Sequence, residues 1–164
     1  MSKTDKNLME AFAGESQANR KYLAFAKQAE KEGFKQVAKL FRAVADAETI
    51  HAHAHLAKAG GIKDTMANLK DAMGGEVHEF TSMYPAMIKD AKEEGRAQEE
   101  RYFDWTNQVE EVHSKLYKKA IDAAGKLEDA DYYICAVCGY THEGPHHDKC
   151  PVCNSAASVF YKAE

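Results

Sequence analysis

Two short units of this chain carry the same two ligand-type residues at the same spacing. "ETIH" occupies residues 48–51 and "EEVH" residues 110–113. On a helix, ~100° per residue leaves positions three apart only ~60° apart around the axis. The carboxylate and imidazole of each unit can therefore reach one cation. Glu111 points ~100° away from Glu110, so spacing pairs His113 with Glu110. Within "DAETIHAHAH" (46–55), only His51 has both the angle and the distance to share an ion with Glu48. His53 is rotated by ~140°, and His55 lies ~10 Å along the axis. Four cysteines form a second group, "CAVC" at 135–138 and "CPVC" at 150–153, with 11 residues between them. Two such knuckles make a tetrahedral site for Zn or a single Fe, and spacing alone favours zinc. With Cys135, Cys138, Cys150 and Cys153 completing the coordination, His142, His146 and His147 in the intervening loop are expected to face solvent.

The elements that must position these residues are mostly helical. A first helix runs from about Thr4 to Glu32 and stops at Gly33, with an inward stripe of Leu8, Phe12, Glu15, Asn19, Tyr22, Ala26 and Ala29. Its steps of three and four are the bundle period. A second, from about Phe34 to Ala59, ends at Gly60-Gly61 and carries Val37, Phe41, Val44, Glu48, His51 and His55 on its stripe. A connection over about 61–72 holds a short helical turn at "ANLKDAM". A third helix spans about Gly75 to Glu94, with Glu76, Glu79 or Phe80, Met83 and Met87 inward and a kink at Pro85. A fourth spans about Arg96 to Ala124, with Phe103, Thr106, Glu110, His113, Tyr117 and Ala120 inward. Helices joined by short, longer and short connections predict an all-α four-helix bundle with one crossover over residues 1–128. From residue 129 to 164 the text turns to aromatic and β-branched ends around Gly, Pro and the four cysteines. A module that small needs a staple, and the cysteines supply a metal.

Each helical stripe carries an acid where Leu or Val belongs: Glu15, Glu48, Glu76 with Glu79, and Glu110. Burying one unpartnered carboxylate costs several kcal/mol. Acids on all four stripes imply a shared multivalent cation. Two Glu-x-x-His units plus a Glu from each remaining helix is the ligand set of the di-iron carboxylate bundles. Oxygen-rich ligands with two imidazoles suit Fe or Mn and also admit Zn.

The composition excludes several classes. A net charge of −4 with no basic stripe argues against nucleic acid. "KLYKK" at 115–119 reads as a solvated helix face. No run of about 18 apolar residues exists to cross a membrane, and "MSKTDKNLME" has no signal-type apolar run. The expected compartment is the cytoplasm, where cysteines stay reduced and bind metal. No G-x-G-x-x-G follows a strand, so the chain is not expected to bind NAD(P)H itself.

The whole pattern resembles the rubrerythrins, over nearly the full chain. The resemblance rests on "GESQANRKY" (14–22), "AETIHAHAHL" (47–56), "GEVHEFTSMYPAMIKDA" (75–91), "VEEVHSKLYKKA" (109–120) and "YICAVCGY…CPVC" (133–153). The gap between the knuckles is shorter than in free-standing rubredoxins. The resemblance implies a ferritin-like bundle followed by a rubredoxin-like β module. It implies a non-haem di-iron site with Glu15, Glu48, Glu76, Glu79, Glu110 and His113 as ligands, and His51 as the alternative to Glu79 when the redox state changes. Tyr22 and Tyr84 match family tyrosines that hydrogen-bond near the carboxylates, and the four-cysteine metal becomes iron rather than zinc. The implied activity is reduction of hydrogen peroxide to water in oxidative stress defence. Electrons would come from NAD(P)H through a partner reductase or rubredoxin and pass from the four-cysteine iron to the di-iron site. The implied state is a homodimer in which the module of one subunit feeds the site of the other, and the connection at 61–72 could permit exchanged helix pairs. The competing reading is a ferritin-like protein that oxidises and stores iron. The cysteine tail argues against it, because a storage cage has no evident use for an electron inlet.

Overall fold

The computed structural model describes residues 2–146 and 148–164. His147, expected to face solvent, lies outside them. The chain divides into two compact units, Met1–Lys63 and Asp64–Glu164.

The first unit is a helical hairpin of α1 (Lys3–Lys31) and α2 (Lys35–Lys58). Ser2 starts α1 with a capping box: its hydroxyl accepts from the Asp5 amide, and the Asp5 carboxylate accepts from the Ser2 amide. Gly33 turns the chain between the helices at φ +85°, a conformation that costs glycine nothing. The seam between the helices is alanine. Ala38, Ala45 and Ala52 are buried at seven-residue spacing on α2, and Ala26 and Ala29 are buried on α1. Such small side chains let two backbones come close. One polar residue joins this seam: Asn19, 8% exposed, donates through Nδ2 to the Ala45 carbonyl (2.7 Å) and to Thr49 Oγ1 (2.8 Å). Phe25, Phe41 and Tyr22 form an aromatic cluster on the hairpin, with the Phe25 and Phe41 centroids 5.6 Å apart.

The second unit begins at Asp64, whose carboxylate caps α3 (Thr65–His78) by accepting from the Ala67 amide at 2.9 Å. A π-helical turn, Glu79–Met83, joins α3 to α4 (Tyr84–Glu93) without a break, and α5 (Ala97–Asp122) returns alongside them. This corrects the expected boundaries. The segment assigned to a connection is helical from Thr65, and the third helix starts ten residues before Gly75. Pro85 stands in the first turn of α4, immediately after the π turn. There its missing N–H falls where the ladder has widened to the π spacing, the Tyr84 amide returning to the Glu79 carbonyl.

After α5 comes a three-stranded antiparallel sheet in the order β2-β1-β3, with β1 Tyr132–Cys135, β2 Thr141–Glu143 and β3 Phe160–Lys162. Tyr133 pairs with His142 and Ile134 with Tyr161. The two knuckles share one design. Gly139 (φ +84°) and Asn154 (φ +60°) follow the second cysteine of each, and their amides return to the carbonyls of Cys135 and Cys150, both at 2.9 Å. The apolar centre holds Cys135, Cys138 and Cys150 with Val109 of α5, flanked by Trp105, Tyr140 and Phe160. The module is thus seated on α5. Lys119 Nζ adds an ion pair to Glu143 of β2 at 2.6 Å.

Candidate metal centres

Within the first unit, Glu15, Glu48 and His51 each place a ligand atom within 4.8 Å of the others. The buried Asn19 bonds hold α1 and α2 in register one turn from Glu15 and beside Glu48, which fixes the separation of the two carboxylates. His51 Nδ1 lies 2.9 Å from Glu48 Oε2, with the ring 55% exposed. Tyr22 stands two turns along α1 from Glu15, its ring against Phe25 and Phe41.

Within the second unit, Glu76, Glu110 and His113 form a matching group, also within 4.8 Å. His113 Nδ1 is 2.7 Å from Glu110 Oε2 and 3.9 Å from Glu76 Oε2. Burial, followed by the hydrogen bond and charge of Glu110, pushes Glu76 up to about 7. Burial works against ionising Glu110 too, but the His113 hydrogen bond prevails and holds it below the usual carboxylate range. Burial opposes the imidazolium at His113, yet Glu110 and Glu76 raise its pKa. Glu79, the first residue of the π turn, is raised by burial and by the charge of Glu110. Tyr84 is raised by burial and then by Glu110 and Glu79, which places its ring within the field of this group.

The four cysteines are free of disulfides and also converge within 4.8 Å. Sγ of Cys135 is 3.7 Å from that of Cys153, and Sγ of Cys138 is 3.5 Å from that of Cys150. A tetrahedron with metal–sulfur bonds of ~2.3 Å has edges of ~3.8 Å, so the cluster fits one ion. Burial raises the Cys138 and Cys150 thiols. At Cys153 burial acts in the same direction, but hydrogen bonding to Ser155 lowers it to about 7. A cation would relieve the shared proton in the Glu76–Glu110 pair and the costly thiolates alike, so the donor sets fit metal.

Other expectations resolve residue by residue. Glu111 turns away from His113 and pairs with Lys115 at 2.7 Å. His78 is exposed, whereas His55 is half-buried. His142 and His146 do not face solvent freely: they lie 4.9 Å apart, with His146 4.2 Å from Phe160 and His142 against Tyr140. Sequence reasoning assigned no role to Thr141. Its Oγ1 is 3.0 Å from His113 Nε2, and it donates to the Gly139 carbonyl at 3.2 Å. No spacing rule links residues 28 apart across a strand and a helix, so nothing in the sequence pointed to it.

Helices presenting carboxylate–imidazole groups, followed by a strand module with a four-thiolate cluster, define a non-haem metalloprotein with two kinds of centre. Comparison with known proteins specifies it. The Rubrerythrin family profile matches residues 6–121, and the "Rubrerythrin, rubredoxin-like domain" profile matches residues 133–161. The chain belongs to the rubrerythrin family, whose members combine a di-iron site with a four-cysteine iron site. It is 37% identical to nigerythrin of Nitratidesulfovibrio vulgaris, over 96% of this chain and 85% of that protein. It is 38% identical to rubrerythrin of the same organism, over 93% and 90%. Among solved structures, nigerythrin in its fully reduced, all-ferrous state is similar with a TM-score of 0.60 and 33% identity, covering 99% of this chain and 88% of that one. Among the described residues no helix is long and apolar enough to cross a membrane.

Proposed function

We propose that this protein is a peroxidase that reduces hydrogen peroxide to water, with Glu15, Glu48, His51, Glu76, Glu79, Glu110 and His113 holding two irons and the four cysteines holding a third. When loaded, the iron pair would supply the two electrons needed to cleave the O–O bond, and an iron held by the four thiolates would supply their replacements one at a time. The chain's own groups manage the protons. Glu76 keeps its proton up to about pH 7 in the metal-free protein and gives it up to bind iron, so proton transfer to a leaving hydroxide falls to the carboxylate or imidazole released when Glu79 and His51 exchange. Tyr84 keeps its hydroxyl proton beside the same carboxylates and can donate a hydrogen bond to bound substrate. The observation that carries this reading is that the four-cysteine cluster and the Glu76–Glu110–His113 group belong to one compact unit of one chain, joined through His113 and Thr141. The resemblance implied delivery from one subunit to the other; this contact favours delivery within a chain.

The domains proposed are the di-iron helical domain, 1–128, and the rubredoxin-like domain, 129–164. The working unit proposed is a cytoplasmic homodimer that exchanges helix pairs. Two features support the pairing: each compact unit carries one Glu-x-x-His group with a third ligand, and the first unit leaves Leu40 62% and Phe34 58% exposed. Exposed apolar surface of that kind calls for a partner. Electrons would come from NAD(P)H through a separate reductase or rubredoxin. The test is turnover: iron-loaded protein with NADH and a rubredoxin reductase system should consume peroxide catalytically. Oxidation of Fe(II) without peroxide turnover would replace this reading with iron storage.

A further inference from the structure

One polarity satisfies every hydrogen-bonding group around Thr141. The Gly139 carbonyl can only accept, so the Thr141 hydroxyl donates its single proton there, at 3.2 Å. Oγ1 then meets His113 Nε2 at 3.0 Å as an acceptor, which requires Nε2 to carry a hydrogen. In the metal-free protein Nδ1 also carries a hydrogen, donated to Glu110; with Nε2 tied to Thr141, the Nδ1 proton is the one a cation displaces. Nδ1 is the atom turned to Glu110 at 2.7 Å and to Glu76 at 3.9 Å. The acceptor that sets this arrangement is not free to move. Gly139 follows Cys138 directly, sits at φ +84°, and sends its amide to the Cys135 carbonyl at 2.9 Å. Thr141 itself is held in β2, opposite Ile134. The geometry of the first cysteine knuckle is therefore transmitted through one carbonyl and one hydroxyl to a ring on α5.

We propose that Thr141 is a positioning residue that ties the folded four-cysteine module to His113 and presents Nδ1 as the metal-binding nitrogen. A ligand histidine whose second nitrogen is anchored binds metal more tightly, and loss of such an anchor costs 10–100-fold. Here the anchor belongs to a module that its own metal must hold together. The module thus prepares the carboxylate–histidine site as well as adjoining it. The idea rests on His113 being a ligand, but it does not depend on peroxide as the substrate, and its test involves no turnover.

The test uses the full chain loaded with zinc at both kinds of site, with Thr141→Val and Thr141→Ser variants. Valine keeps the β-branched shape in β2 and removes the hydroxyl; serine keeps the hydroxyl. Chelator competition should show the carboxylate–histidine site of Thr141→Val weakened 10–100-fold. The four-cysteine zinc should be retained, and Thr141→Ser should stay within about twofold of the parent. Long-range 1H–15N spectra of the parent should show His113 with its proton on Nε2. Unchanged zinc affinity in Thr141→Val, or a loss in Thr141→Ser equal to that of valine, overturns the proposal. If valine also releases the four-cysteine zinc, the parent spectrum decides: a proton on Nδ1 overturns the proposal and one on Nε2 supports it.

Discussion

His113 Nδ1 stands 2.7 Å from Glu110 Oε2, and the equivalent pair on α2, His51 and Glu48, keeps nearly the same separation of 2.9 Å. What differs is the surroundings. The His113 side chain is 25% exposed and that of His51 55%. One Glu-x-x-His unit is enclosed by the module and a second carboxylate, while the other has room to move.

The enclosed unit makes metal loading depend on pH. Glu76 gives up its proton at about 7, and His113 keeps its own above the ordinary imidazole range. Both protons compete with the cation, so affinity falls as pH drops through 7. Each proton displaced costs about tenfold per pH unit. Chelator competition between pH 8 and pH 6 should give a slope of at least one proton. The Glu76→Gln variant should lose part of that slope along with affinity.

The freer unit bears on the ligand exchange implied for Glu79 and His51. Glu79→Ala and His51→Ala should each slow peroxide turnover by roughly tenfold or more, since even residues that only orient ligands cost 10–100-fold. Circular dichroism should show the helices intact in both. Full activity in both single variants would remove the exchange from the mechanism.

Cys135 lies in the module's buried centre against Val109. Cys135→Ser should abolish reductase-driven turnover yet leave a single oxidation of the pre-reduced protein by peroxide, followed by stopped-flow absorbance with iron supplied well above the weakened affinity of the carboxylate–histidine site. Loss of the single event as well would mean that the module is needed for more than electron delivery.

Exchange of helix pairs can be tested by complementation. Glu48→Ala disables the ligand group of the first unit and Glu110→Ala that of the second. In an exchanged mixed dimer one site receives both defects and the other neither. Co-expressed chains should therefore recover one intact site, half of a parent dimer's activity, per mixed dimer, although each variant alone is inactive. Without exchange, every site carries one defect and no activity returns.

Asn19→Ala removes one buried and one part-buried hydrogen bond from the α1–α2 seam, leaving Thr49 Oγ1 bonded only within α2, to the Ala45 carbonyl. The expected loss is about 1–3 kcal/mol in a denaturant titration, with weaker metal binding by the Glu15 group.

Much of this was legible because its causes are local. Gly33, Gly60, Gly95 and Gly125 all adopt the left-handed conformation where helix ends were expected. Within each unit the stripe acids, Glu15 with Glu48 and Glu76 with Glu110, stand together because stripe position determines which side chains meet. The start of α3 was not legible. Gly74-Gly75 reads as a boundary, and glycine costs roughly 1 kcal/mol in a helix, but the helix runs through both from its Asp64 cap. Asn19 was visible on its stripe but carried no signal that it would bridge to Ala45. Thr141 acts through a contact that exists only after folding.

The alanine seam of the hairpin has a consequence for the metal ligands. Ala38, Ala45 and Ala52 recur every second turn along the line where α2 meets α1. They act as a calliper, and its setting is determined by side chains that are not there. Any larger residue opens the jaws and draws Glu48 away from Glu15. The spacing of the Glu15 and Glu48 carboxylates is thus governed at positions that touch neither.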